Sequence, residues 1–252
     1  MEWYSKEKSV IDPKFFILDD LDLVRSGTIV FVKRVYDWMK AAVTNVILEK
    51  SGTGAHRFFV TKDGFAVFHS YFGAPATVAL AETLIASGVK RLIIFGEAGA
   101  ISPKIGLGEV LIPTFAIREE GTSYHYFPPD VPAKPSGEVR EKIKELLSGL
   151  GVSYKEGGVW TTDAVFRETR DKVLKYSSQG VLAVEMECSA LFSVAQYRGA
   201  EAAALLIITD KLHEEEWEPA FDDPKVIENE KKISEILAKN WPKLDLKHAS
   251  NS

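Results

Sequence analysis

Cysteine is nearly absent from this chain: Cys188 is the single one in 252 residues. One thiol excludes an internal disulfide framework and a thiolate-rich metal site. Long apolar runs are also missing, and nothing approaches the about 18 residues that a membrane span needs. The opening Met-Glu-Trp-Tyr-Ser-Lys carries no apolar signal core, so a soluble, cytoplasmic protein is expected. No long basic run occurs and the net charge is −5, which makes nucleic acid and anionic membrane poor partners. His125 has no second His or Cys at ligand spacing, so no metal is expected there. Repeats, low-complexity segments and a Pro/Gly-rich linker are lacking, which leaves a single domain over 1–252 with a frayed polar tail at 242–252.

Hydrophobic residues are plentiful, at 46%, enough for a sizeable core. Residues 28–32 are β-branched and read as a strand, and 35–42 as a short helix. Two strands, 57–61 and 65–71, flank the hairpin turn Lys62-Asp63-Gly64, after a flexible loop at 51–54. A helix over 76–86 follows Pro75, which suits a first helical turn. The short apolar run 92–95 reads as a buried parallel strand, and Gly96-Glu-Ala-Gly-Ala100 as the turn after it. Strands at 109–113, 159–162, 182–184 and 202–208 alternate with helices at 139–147, 168–176, 186–198 and 226–237. The pattern predicts α/β architecture: three layers, α/β/α, around a central mixed sheet.

The stretch Val184-Glu-Met-Glu-Cys-Ser-Ala-Leu191 organises the rest. Its two acids sit where a buried strand passes into a buried helix. Carboxylates seldom occupy such a place without a partner. A polyol is one suitable partner, because a carboxylate accepts two hydroxyl hydrogen bonds at once. The plainer reading makes Glu185 or Glu187 a helix-start acid held by the helix dipole. Both readings stand at this point. Cys188 falls in the same apolar helical pattern and reads as a buried structural thiol. Several strands end in glycine or a polar residue, at 71–73, 95–97, 161–163 and 209–210. In open α/β sheets ligands bind beyond such carboxyl ends, so these ends are expected to surround one pocket.

Six short pieces now carry a resemblance: Gly73-Ala-Pro-Ala-Thr77, Gly96-Glu-Ala-Gly-Ala-Ile101, Gly108-Glu-Val-Leu-Ile-Pro113, Gly121-Thr-Ser-Tyr-His125, Thr162-Asp163 and Val184-Glu-Met-Glu187. In order and spacing the chain resembles the nucleoside phosphorylase family, from about residue 57 to 210. That family includes uridine phosphorylase, hexameric purine nucleoside phosphorylase and the methylthioadenosine nucleosidases. The resemblance implies cleavage of an N-glycosidic bond of a purine or pyrimidine nucleoside, with phosphate as co-substrate and no organic cofactor. It implies dimers assembled into a hexamer. Residue by residue, Met186 and Glu187 match the ribose-contacting pair, with Glu185 beside them. Phe166, or Val165 in a slightly different alignment, matches the base-stacking position. Arg170 falls near a polar base-reading position, and Gly96 and Thr162 belong to the matched substrate-site pieces. Asp210 matches the acid that protonates a purine base as the bond breaks. Such an acid needs a raised pKa, which the apolar strand before it could supply. The plainer reading of Asp210 is a helix N-cap.

The phosphate positions depart from the family. No Gly-Asp-Pro…Arg loop is evident near the N-terminus; residues 18–25 are a poor stand-in. Ile94 stands where the family has an arginine, and Glu97 where it has Ser or Thr. Only Arg57 matches the arginine that crosses between subunits. Glu97 is open to three readings: a base that activates water in a nucleosidase, a partner of Arg57, or a structural acid in a non-catalytic nucleoside-binding protein. The arginine that backs the purine acid is also missing, and Lys211 or His213 could substitute. Glu214-Glu-Glu216 reads as a solvated acidic loop.

Overall fold

The computed structural model describes residues 3–52 and 55–244. Among the described residues ten strands form one sheet: β1 (Ser26–Val30), β2 (Val46–Gly52), β3 (Ala55–Thr61), β4 (Phe65–Ser70), β5 (Arg91–Ala100), β6 (Val110–Glu119), β7 (Lys155–Thr162), β8 (Val181–Glu185), β9 (Glu201–Lys211) and β10 (Glu218–Pro219). Six α-helices accompany them: α1 (Lys33–Ala41), α2 (Ala74–Ala86), α3 (Gly137–Gly149), α4 (Arg170–Ser177), α5 (Cys188–Arg198) and α6 (Pro224–Leu244).

Alternation along the central strands builds the three layers. On β5, Leu92 and Ile94 join a core with α2 and α5, while Ile93 and Phe95 join a core with α1, α3 and α6. On β9, Ala202, Ala204 and Leu206 face the first core, and Ala203, Leu205 and Ile207 the second. Strands buried on both faces read as continuous apolar runs, which is how both appear in the sequence.

β5 joins two different sheet geometries. Its first half pairs in parallel with β1, which continues to β4, β3 and β2 as an open sheet. Its whole length pairs with β9, and its last two residues pair with β8. Because β9 pairs β6, β6 pairs β7 and β7 pairs β8, strands β5, β9, β6, β7 and β8 close a ring. Beyond Ile94, therefore, β5 parts from β1 and turns into a small barrel.

Four expectations change here. Gly96–Ala100 is strand, not turn: β9 pairs with β5 from Arg91 to Ala100, and that long-range ladder holds the glycines extended. The expected strand at 109–113 and the segment after it form one strand, Val110–Glu119, with a bulge at Pro113–Phe115, where the proline cannot donate. The last helix runs on to Leu244, so residues 242–244 are helical; the rest of the expected frayed tail lies outside the described residues. Of the expected loop at 51–54, Ser51 and Gly52 belong to β2, and the remaining two lie outside the described residues.

Candidate active site

Where β5 leaves β1, a cavity of about 670 Å³ opens. Its walls are the ends of β5, β8 and β9, the segment after β1, and the residues before α4. Several strand ends meeting at one hollow is the arrangement expected of an α/β sheet that binds a ligand.

The two acids of the 184–187 stretch have separate jobs. Glu185 Oε2 accepts the backbone N–H of Glu187 and of Cys188, each at 2.7 Å, and Oε1 accepts the Thr161 hydroxyl. The plain helix-start reading thus fits Glu185: its oxygens answer the orphan donors at the start of α5, and those donors oppose the burial that raises its pKa. Glu187 lies in the same buried corner, and its Oε1 accepts the Gly73 N–H at 2.7 Å. Gly73 adopts φ 95°, left-handed backbone that favours glycine, and this aims its N–H at the carboxylate. Burial, with Glu185 beside it, pushes Glu187 up to about 8. Glu187 has fewer donors than its neighbour and borders the cavity.

Asp210 faces Gly99 across the β5–β9 pair. A Cβ at position 99 would stand 2.8 Å from Asp210 Oδ2 and would also strike Leu212, so only glycine leaves room for the acid. Desolvation raises the Asp210 pKa, while donors from Trp217 and Thr209 hold it down. Trp217 Nε1 donates to Oδ2 at 2.8 Å and the Thr209 hydroxyl to Oδ1 at 3.1 Å. The substitutes expected for a backing arginine do not reach it: Lys211 pairs with Glu218 at 3.1 Å, and His213 lies 3.4 Å from Glu214. Asp210 sits within a strand, so it is not a helix cap. Glu168, also on the cavity wall, is pushed up to about 7 by burial and by Asp210.

Glu97 borders the cavity, and its partner is Arg34, not Arg57. Arg34 lies in the first turn of α1, shortly after β1. Its Nη2 donates to Glu97 Oε1 and its Nε to Glu230 Oε2, both at 2.7 Å. The Glu230 side chain, from α6, is 2% exposed. Burial, together with Glu230 and Asp210, pushes Glu97 up to about 8 against the pull of Arg34.

The mouth is aromatic and acidic. Phe72, Phe166, Trp217 and Phe221 stand around it, Phe166 96% exposed. Glu214, Glu215 and Glu216 are exposed, as expected of a solvated acidic loop, and they also border the cavity. The loop is a hairpin return in which β10 pairs with β9, clamped by Arg170, whose Nη1 donates to the carbonyls of Leu212, His213 and Glu214 at 3.2, 2.8 and 2.6 Å.

Of the residues singled out in the sequence, Glu97, Val165, Phe166, Arg170, Glu185, Met186, Glu187 and Asp210 surround this one cavity. Gly96, Thr162 and Arg57 are not in its wall. Gly96 packs between Phe31 and Leu206. Thr162 is buried, and its hydroxyl accepts the Ala164 N–H at 3.3 Å. Arg57, on β3, lies over the Tyr36 ring at 5.7 Å. The 121–125 loop is aromatic packing, with Trp3 stacked on His125 at 5.6 Å. Sequence reasoning misses Arg34, Glu168 and Trp217. Arg34 is 63 residues from its partner Glu97, and no local spacing joins them. The strand-to-helix step after residue 30 is the one available signal for it.

A sequence model of the Phosphorylase superfamily matches residues 39–239. A DeoD-type purine nucleoside phosphorylase of Bacillus cereus is 32% identical over 142 residues, which cover 56% of this chain and 60% of that protein. That of Bacillus thuringiensis (strain Al Hakam) matches equally, so the match spans about three fifths of these curated relatives. Among solved structures, uridine phosphorylase from Vibrio fischeri ES114 superposes with a TM-score of 0.77 at 25% identity, covering 88% of this chain and 92% of that one. The same enzyme complexed with 6-hydroxy-1-naphthoic acid gives 0.75 at 26% identity, covering 86% and 90%. With four fifths of its length matched by the superfamily's own pattern, and with this fold, the chain belongs to the phosphorylase superfamily.

Proposed function

We propose that this chain cleaves the N-glycosidic bond of a purine or pyrimidine nucleoside by phosphorolysis, giving free base and ribose 1-phosphate. The observation that carries the reading is Glu187: a buried carboxylate with one backbone donor, bordering a cavity that Asp210 also lines. Breaking the bond builds positive charge on the ribose ring and negative charge on the leaving base. Glu187 grips the 2′- and 3′-hydroxyls, and its ionised form, which burial disfavours in the empty cavity, favours the cationic ring. Met186 packs against the sugar, and Phe166 or Val165 covers the base. Asp210, raised by desolvation, passes a proton to the base. Arg170 shapes the mouth through the 212–214 carbonyls. Purine and uridine phosphorylases among the relatives support the reaction type.

We place this activity in cytoplasmic nucleoside salvage, carried by a dimer-based hexamer. Arg57 supports that assembly: it lies away from its own chain's cavity, and its Nε is buried without a hydrogen-bond partner. Such an arginine is suited to completing a neighbour's site.

The deciding assay follows base release from a panel of purine and pyrimidine nucleosides, with and without inorganic phosphate. Phosphate-dependent release is expected. Equal release without phosphate would make the chain a hydrolase, and binding without release would make it a carrier. Sedimentation of the intact chain tests the hexamer.

A further inference from the structure

Phosphorolysis requires the cavity to admit an oxyanion, yet its wall is acidic. Among the described residues around it, Arg170 is the one cation, and its Nη1 is committed to three carbonyls. A second guanidinium lies behind the wall. Arg34 stands past the carboxyl end of β1, and Glu97 on β5 just past the point where the two strands part. The pair spans that gap at 2.7 Å. A guanidinium that holds a carboxylate has the donor geometry that also holds a phosphate. The site for an oxyanion is therefore already filled by the protein's own carboxylate.

We propose that Glu97 gates the phosphate subsite: as a carboxylate it occupies Arg34 Nη2, and once protonated it releases that nitrogen to phosphate and can turn its own hydroxyl from Glu230 to the anion as a second donor. The inference rests on the phosphorolytic reading above. It gives a use to an acid at a position where the family has a hydroxyl residue, because a neutral carboxylic acid is a hydroxyl donor. Glu230 makes the exchange workable. Its carboxylate stays on Arg34 Nε at 2.7 Å, so the guanidinium keeps its place when Glu97 lets go.

The charged groups around Glu97 set the direction of the pH effect. Arg34 on α1 favours its ionised form; Glu230 on α6 and Asp210 on β9 oppose it, and burial opposes it most. Asp222, before α6, acts on Arg34. Together they hold Glu97 at about 8, so below that value the subsite is open and above it Glu97 competes with phosphate. Glu187 and Glu168 titrate in the same cavity, but their effect persists when Glu97 is replaced.

The test varies inorganic phosphate at saturating nucleoside, from about pH 7.5 to 9.5, for the wild-type chain and Glu97→Gln. For the wild type, the phosphate KM is expected to climb towards tenfold per pH unit above the Glu97 titration. In Glu97→Gln the part of that climb due to Glu97 disappears, leaving the shallower dependence that Glu187 and Glu168 impose, and the phosphate KM at the alkaline end falls about tenfold below wild type. Arg34→Lys raises the phosphate KM at every pH relative to the nucleoside KM. A wild-type phosphate KM that is flat over the range, or one that rises in Glu97→Gln, overturns the gate. Calorimetry with inorganic phosphate, in two buffers of different ionisation heat, reads the gate without turnover. Proton uptake near pH 8 that is lost in Glu97→Gln supports it; binding with no uptake, or no phosphate binding at all, sinks it. Base release that ignores phosphate would instead sink the phosphorolytic reading, and the calorimetry still decides the gate. Melting curves of each variant confirm that it is folded.

Discussion

Two walls of the cavity face the same problem, a pair of acids largely withdrawn from water, and answer it differently. At the β8–α5 junction the answer is backbone and hydroxyl: Glu185 takes two N–H groups and the Thr161 hydroxyl, and Glu187 takes the Gly73 N–H. At the α1–α6 wall a single guanidinium serves both Glu97 and Glu230. Backbone donors survive any substitution except proline, so the first wall depends little on any one side chain. The second depends on one residue. The comparison also separates purposes: the first wall fixes a position, whereas the second holds an exchangeable charge.

The largest effect should come from breaking the second wall. Arg34→Ala leaves the buried Glu230 and the half-buried Glu97 without their cation, and a loss of about 3–5 kcal/mol is expected in denaturant unfolding. A change below about 1 kcal/mol would mean that water already relieves both acids.

Next is Glu187→Ala, which should lower kcat/KM by about 10²–10³, on the order of 2.7–4 kcal/mol in the transition state. Stability should hold or rise, because a carboxyl that burial disfavours as an ion is removed. Unchanged turnover would refute the sugar assignment.

Trp217→Phe tests the acid between the two walls. The indole N–H holds Asp210 down, so its removal should shift the alkaline limb of the rate profile upward. A hydrogen bond to the ionised carboxylate favours that form, so a limb that stays in place or moves down would remove Trp217 from the control of Asp210.

The smallest effect is on the melting temperature across pH. Glu187 and Glu97 rise from 4.5 to about 8, and Glu168 from 4.5 to about 7. The folded chain therefore keeps protons that the unfolded chain has released. Their contribution is fully present below 4.5 and is lost as pH rises through about 7–8. The melting point should fall by a few degrees over that window, and Glu187→Gln and Glu97→Gln should each flatten the slope. An unchanged slope in both would place the titration elsewhere.

Much of this is legible in the sequence, for local reasons. The hairpin at Lys62-Asp63-Gly64, the helix behind Pro75 and the apolar runs of β5 and β9 announce themselves within a few residues of chain. The matched pieces at 184–187 and 209–210 do lie around one hollow. What fails is set by distant partners. Gly96–Ala100 looks like a turn until β9 is laid alongside it. Arg34 looks like an ordinary helix-start cation until β1 and β5 bring it to Glu97. Trp217 looks like loop filler until β10 folds it back over Asp210. Closure of β5 to β9 into a ring is a property of the whole sheet, and no window of sequence contains it.

The lone thiol has a practical consequence. Cys188 opens α5 one residue after Glu187, is wholly buried, and is driven well above the ordinary thiol range by desolvation and its acidic neighbours. A sulfhydryl reagent therefore meets a protonated, shielded group and reacts only when the cavity floor lifts away. Labelling rate becomes a clock for the breathing of that floor, readable in the unmodified chain, and a bound sugar should slow it.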